Sequence, residues 1–363
     1  MSTSAAPSIV VLAGGVGGSR FVLGVREAAR RRWPSPDPSG TAARITVVAN
    51  TGDDLWLSGV RLQPDVDSLL YALAGVNDAE RGWGRAGDSE RVAGELREWG
   101  AGWPWFTLGD LDLGTHLART GWLREGLTVS EVVARLGARW ELGVRLLPMT
   151  DAEVDTHVVT TEGRMHFQEW WTRHRAALPA ERFEHPGIGR AAPGAGVLEA
   201  IGAADAVLLA PSNPVVSIGP ILAVPGIAEA VAAAPGGVVG VSPIIGGAVV
   251  RGMADACLAA LGVPTAADAV GLRYGARISL TGLRNGHPAE ESGGDPSPAR
   301  IPQPAYDRLG QPGLLDAWLI AEEDAALAPR LEAAGLRTLV RPLWMRDADT
   351  SAALASAALD AAL

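Results

Sequence analysis

Four aspartates, Asp53, Asp54, Asp65 and Asp67, fall within fifteen residues directly after the apolar segment Ile45 to Ala49. Carboxylates clustered this closely supply hard oxygen ligands for a divalent cation, or groups for proton transfer. A second apolar segment, Ile9 to Leu12, runs into Gly14-Gly15-Val16-Gly17-Gly18, followed by Ser19 and Arg20. A glycine loop in this position offers backbone N–H groups to phosphate, and Arg20 could add a bidentate contact. A third apolar run, Ala206 to Ala210, ends in Pro211-Ser212-Asn213-Pro214. Ser212 and Asn213 offer a hydroxyl and an amide to a base or a phosphate. Together these features predict a phosphorylated ligand held with Mg²⁺.

Each feature also has a purely structural reading. The glycines could serve a tight strand-to-helix turn, although four in five residues exceed what a turn needs. Asp67 precedes a helix and could be its N-cap, as Ser212 could be of another. One Mg²⁺ ion typically takes one or two carboxylates plus ligand phosphates, so the four aspartates cannot all bind one ion. The dense His166-Phe167-Gln168-Glu169-Trp170-Trp171 segment reads first as core packing, as do Trp56, Trp83, Trp103 and Trp105. His116 and His157 stand apart from any Cys/His spacing and are not read as metal ligands.

The elements that must position these residues alternate. Strands are expected at 9–13, 45–49, 154–160, 206–210, 238–241, 316–320 and 337–340. Helices are expected at 20–32, 67–74, 91–99, 113–122, 129–138, 196–202, 225–233, 324–334 and 350–362. The alternation predicts an α/β fold, a Rossmann-like doubly wound and mainly parallel sheet, with ligands at the strand ends. The block at about 68–145 lacks strand signals and reads as an inserted helical subdomain. A Pro-, Gly- and charge-rich stretch at about 284–313 reads as a flexible insertion, within a single domain spanning 1–363.

Composition narrows the chemistry. The net charge of −10 argues against nonspecific nucleic-acid binding, and no apolar run reaches membrane-spanning length. The N-terminal residues do not read as a secretory signal, so a soluble, cytoplasmic protein is expected. The single cysteine, Cys257, excludes an internal disulfide. All 31 basic residues are arginine. A Walker-type loop needs a lysine, so Gly14 to Gly18 is not a P-loop, and Schiff-base chemistry is closed.

The chain resembles the 2-phospho-L-lactate transferases of deazaflavin (coenzyme F-420) biosynthesis and their actinobacterial branch, the phosphoenolpyruvate transferases. The resemblance rests on GGVGGSRFVLGV, NTGDDLW, PDVDSLLY, RGWG, LGDLDLGTHL, LLPMTD, HFQEWW, APSNPVVSIGPIL and SPIIGG, in order over roughly residues 9–275. It implies a transferase whose acceptor is the deazaflavin Fo and whose donor is a guanosine diphosphate diester of lactate or enolpyruvate. A terminal hydroxyl of Fo attacks the phosphorus beside the three-carbon unit, and GMP leaves. It further implies Mg²⁺, with Asp53 and Asp65 as metal ligands and Asp53 and Asp67 catalytic. Asp67, Thr107 and Trp83 would contact Fo. Gly14, Gly15, Gly17, Gly18, Arg20, Ser212 and Asn213 would hold the donor. A homodimer is expected. The lysine-free, Ala- and Arg-rich composition favours enolpyruvate over lactate or glycerate. Two alternatives stay open: a nucleotidyltransferase releasing pyrophosphate, and a non-catalytic regulator of the same fold.

Overall fold

Along the first strand, Ile9, Val11 and Ala13 face one side and Val10 and Leu12 the other, and both sets are buried. A strand buried on both faces belongs inside a parallel sheet covered by helices. The computed structural model describes residues 6–277 and 313–363. The expected insertion at 284–313 therefore lies outside the described residues, save its last residue.

In chain order, β1 (Ser8–Ala13) and α1 (Gly15–Arg32) lead to β2 (Arg44–Ala49), then a hairpin of β3 (Leu55–Leu57) and β4 (Val60–Leu62). A helical run follows: α2 (Pro64–Ala74), α3 (Arg91–Glu98), α4 (Asp110–Arg124) and α5 (Val129–Gly137). β5 (Arg145–Pro148) precedes a small antiparallel sheet of β6 (His157–Thr160), β7 (Gly163–His166) and β8 (Ala180–Glu184). Next come α6 (Val197–Gly202), β9 (Ala206–Leu209), α7 (Ile218–Ala223), α8 (Ile227–Ala232) and β10 (Gly237–Val241). A short hairpin, β11 (Ile244–Ile245) and β12 (Ala248–Val249), leads to α9 (Ala254–Ala260) and α10 (Ala267–Tyr274). The chain ends with β13 (Ala317–Ile320), α11 (Ala328–Ala333), β14 (Arg337–Val340) and α12 (Ala348–Ala362).

Seven strands form one parallel sheet in the order β14-β13-β10-β9-β1-β2-β5. β1 pairs with β2 on one side and with β9 on the other. The chain first builds outward past β2 and then returns to build outward past β9. This makes the β1/β9 boundary the topological switch point, where sheets of this kind bind ligands. The core splits into two layers across the sheet. No helix among the described residues is long and apolar enough to cross a membrane.

Several boundaries differ from expectation. α1 starts at Gly15, so most of the glycine "loop" is the first helical turn. α2 starts at Pro64, three residues early, because proline's fixed φ and missing N–H suit the first helical position. Asp65 and Asp67 therefore sit in the first turn, and Asp67 is not an N-cap. The hairpin β3/β4 was not anticipated. The strand expected at 154–160 is shorter, at His157–Thr160. The helix expected at 324–334 divides into a 3₁₀ turn, Glu322–Leu327, and α11.

Candidate active site

The strand ends open into a cleft of about 740 Å³, within the usual range for small-molecule sites. At the switch point, the Gly14 N–H donates to Ser212 Oγ (3.1 Å), and Ser212 Oγ donates back to the Gly14 carbonyl (2.7 Å). The glycine turn after β1 is thus stitched to the turn after β9. A Cβ on Gly14 would collide with the Asp65 carboxylate, and Gly15 has a φ of +63°, which a glycine adopts without strain. The Gly15 N–H donates to Asp65, so the protein's own carboxylate occupies the first amide of α1. Val16 and Gly17 line the cleft, and a helix's first turn leaves their amides without intrahelical partners.

Asp53 and Asp65 form the centre of the floor. Both are buried, and both accept from one side-chain amide: Asn50 Nδ2 lies 3.2 Å from Asp53 Oδ1 and 2.9 Å from Asp65 Oδ2. Asn50 is held in turn by its Oδ1, which accepts from the Gly52 N–H at 2.8 Å. Gln168 Nε2 reaches Asp53 Oδ2 at 3.3 Å, and Ser217 Oγ reaches Asp65 Oδ2 at 3.3 Å. No arginine pairs with either among the described residues. Burial and then the neighbouring Asp65 push the Asp53 carboxyl well above its usual range. Burial raises Asp65 to about 6, against the lowering effect of its Asn50, Ser217 and Gly15 hydrogen bonds. Two buried carboxylates with no cation of their own fit a divalent ion, whose charge would offset this repulsion.

The other two aspartates have arginines. Asp54 accepts from Gln63 Nε2 (2.7 Å) and lies 3.6 Å from Arg61 Nη2. Arg61 pairs more closely with Asp155, at 2.7 and 3.0 Å. Burial outweighs this help, and the Asp54 carboxyl also sits well above its usual range. Asp54 does not line the cleft. Asp67 does, and its Oδ1 takes a hydrogen bond from the fully buried Arg119 on α4. His116, apparently isolated in sequence, lies beside Asp67 and Asp112, within 3.6 and 3.4 Å. These three offer ligand atoms within 4.8 Å of one another. The Arg119 guanidinium already occupies that cluster, which disfavours a second cation there.

Much of the cleft lining is aromatic. Trp105, Phe106, Thr107 and Leu108 come from the loop before α4, Trp83 from the loop after α2, and Trp171 from the HFQEWW segment. Trp103 and Trp105 stack at 4.5 Å, and Phe106 stands edge-on to Trp105 at 6.0 Å. Arginines line the same cleft: Arg20, Arg81, Arg251 and Arg346. Arg81 lies over the Trp83 ring at 5.5 Å, and Arg251 Nη2 donates to the Arg81 carbonyl at 2.6 Å. These cations supply what a lysine-free chain would otherwise lack.

The cleft brings together Gly14, Gly15, Gly17, Arg20, Asp53, Asp65, Asp67, Trp83, Thr107, Ser212 and Asn213. Gly18 does not line it; it packs behind, against Ser212 and Ala13. Asn213 lines the cleft, but its Oδ1 accepts from the Val215 and Val216 amides and its Nδ2 points at Cys257 Sγ. Sequence reasoning gave no role to Asn50 or Gln168, and read Ser217 as part of a polar turn favouring a nucleotide site. Asn50 carried a usable signal, as a buried amide at the end of a parallel strand. Gln168 carried none, since its neighbours read as core and Trp170 is indeed fully buried. His166 beside it is neutral in character. Its Nδ1 accepts from the Gln168 N–H, its Nε2 meets the Asp54 carbonyl, and burial lowers its pKa to about 4.

Known proteins resemble this chain over nearly its whole length. A phosphoenolpyruvate transferase of Thermobifida fusca is 46% identical over 359 residues, covering 98% of each chain. One from Streptomyces griseus is 46% identical, and one from Mycolicibacterium smegmatis is 42% identical, each over 98% of both chains. The solved structure of protein BH3568 from Bacillus halodurans shares the fold. It has a TM-score of 0.56 at 18% identity and covers 98% of this chain and 99% of that one. The sequence profile of one family matches residues 9–282, three quarters of the chain, and its relatives share this length: the protein is a transferase and belongs to the family described as 2-phospho-L-lactate transferase CofD.

Proposed function

We propose that this enzyme transfers a phosphoenolpyruvyl group, or a 2-phospholactyl group, from a guanosine diphosphate diester to the terminal hydroxyl of the deazaflavin Fo, releasing GMP. The observation that carries the reading is the composition of a single cleft. Glycines of the α1 turn, Ser212, arginines, aromatic rings and carboxylates all line it. A transfer between a polyanionic nucleotide and a flat ring acceptor needs all of these in one site. The names of the relatives, at 40–46% identity, favour enolpyruvate as the three-carbon unit.

Phosphoryl transfer depends mainly on positioning and charge neutralisation. In this reading the Val16 and Gly17 amides and Arg20 hold the donor's phosphates. Trp83, Trp105 and Thr107 hold the ring of Fo, and Asp67 takes or orients the proton of its attacking hydroxyl. Asp53 and Asp65 would hold Mg²⁺, which when bound neutralises diphosphate charge and polarises the phosphoryl oxygens. Asn50 and Gln168 fix the orientation of the two carboxylates.

The test is incubation of the pure protein with Fo, Mg²⁺ and each of the lactyl and enolpyruvyl guanylyl donors, following GMP release and the mass of the deazaflavin product. Product from one donor establishes both the reaction and the three-carbon unit. Pyrophosphate released when a nucleoside triphosphate is supplied as donor would instead identify a nucleotidyltransferase.

A further inference from the structure

The seam between α2 and α4 is polar where two helices would ordinarily bury aliphatic side chains. α2 contributes Asp67 and Tyr71, four residues apart; α4 contributes Asp112, His116 and Arg119, at spacings of four and three. All five are buried, and Arg119 has no exposed surface. Apolar packing of the same volume is often at least as stable as a buried ionic cluster. The seam is also one wall of the cleft: Asp67, Tyr71, Asp112 and His116 line it, and Arg119 lies behind them.

The contacts impose a direction. Arg119 donates through Nη2 to Asp67 Oδ1 and through Nη1 to the Arg61 carbonyl at 3.2 Å. Nη1 also lies 2.9 Å from His116 Nδ1. A guanidinium has only donors, so Nδ1 must accept, and the imidazole proton resides on Nε2. Nε2 lies 3.4 Å from Asp112 Oδ1, which also accepts from the Tyr71 hydroxyl at 2.7 Å. This orients each side chain through a neighbour. The exception is Asp67 Oδ2, which is buried and has no hydrogen-bond partner among the described residues.

We propose that Arg119 is a positioning residue: it fixes the Asp67 carboxylate by Oδ1 in the cleft wall, where the acceptor's hydroxyl would meet it, and it fixes His116 as the neutral imidazole protonated on Nε2. The assignment to the acceptor rests on the reaction proposed above. Arg119 does not touch substrate and acts through Asp67 and His116. A lysine retains the charge but cannot hold Asp67, His116 and the Arg61 carbonyl in one planar fork.

The test compares wild type with Arg119→Lys, and with Arg119→Gln should the lysine variant not fold; thermal unfolding establishes which variants fold. Misplacement of one reacting group should lower kcat about 100-fold, with the donor KM unchanged. ¹⁵N-histidine NMR, with His116 assigned by comparison with His116→Asn, should show an Nε2-protonated neutral ring in wild type and a changed ring in the Arg119 variant. A folded Arg119 variant with wild-type kcat overturns the proposal. So does a wild-type spectrum with the His116 proton on Nδ1, which requires no Arg119 variant at all. If wild type yields no product from either donor, the proposed reaction fails instead. The imidazole spectrum then decides Arg119 alone: a ring unchanged by Arg119→Lys overturns the role, and a changed ring supports it.

Discussion

The four clustered aspartates divide into two pairs that the protein treats differently. Asp54 and Asp67 face buried arginines, Arg61 and Arg119. Among the described residues, Asp53 and Asp65 accept only from neutral donors: both from Asn50, Asp53 also from Gln168 and its own amide, and Asp65 also from Ser217 and the Gly15 amide. All four are nearly inaccessible to solvent. A charge neutralised from within belongs to the scaffold or to a fixed orientation. A buried charge left without a partner is costly, and it is retained where a ligand brings the missing cation. The contrast sets the two proposed metal ligands apart from the two aspartates held by arginine.

Substitutions can break this comparison. The largest effect is expected at the uncompensated pair: Asp53→Asn or Asp65→Asn should lower transfer by about 1,000-fold or more, as loss of preorganised electrostatic stabilisation does. Calorimetry on the same variants should show weakened Mg²⁺ binding, and full turnover in either would remove that aspartate from the site. At Asp54, which does not line the cleft, the loss should appear in stability. Arg61→Met strands Asp54 and Asp155, so urea unfolding should show a loss of about 3–5 kcal/mol. An unchanged midpoint would mean that Asp54 is not held by charge.

The pH dependence sharpens the contrast. Asp65 titrates at about 6 when folded, above its ordinary value of 3.8, so the folded state binds the proton more tightly. In Mg²⁺-free buffer, wild-type stability relative to Asp65→Asn should therefore be greatest below about pH 4 and decline as pH rises to about 6, by about 2–3 kcal/mol. Added Mg²⁺ should reverse the loss above pH 6 and do little at pH 4. A flat difference across that range would show that the pair carries no strain. The smallest effect belongs to the aromatic wall. Trp105→Leu should raise the KM for Fo about 3–10-fold, the worth of one aromatic contact, and leave the donor KM unaltered.

Much of this was legible in one dimension. The strand–turn–helix alternation fixes a parallel sheet, because segments apolar on both faces have no place at a surface. The glycine turn, the PDVD segment and the Ser212-Asn213 turn all follow or adjoin strand ends, so they were expected at one edge. The hairpin β3/β4 was missed because its three-residue strands are too short to show periodicity. The Gly14 to Gly18 stretch read as a loop because its glycines carry no side-chain pattern to mark a helical turn.

The sequence by itself determined the fold class, the absence of lysine chemistry and the stretch of chain that carries the acidic groups. Those follow from residue types and local periodicity. Only the tertiary structure decided which carboxylates are paired. Arg119 lies 52 residues from Asp67, and Gln168 lies 115 from Asp53. Whether a charge is compensated depends on what packs against it, and that is set by helix crossing and sheet order, not by spacing along the chain. For the same reason His116, solitary in the sequence, becomes one member of a buried polar cluster once α4 lies against α2.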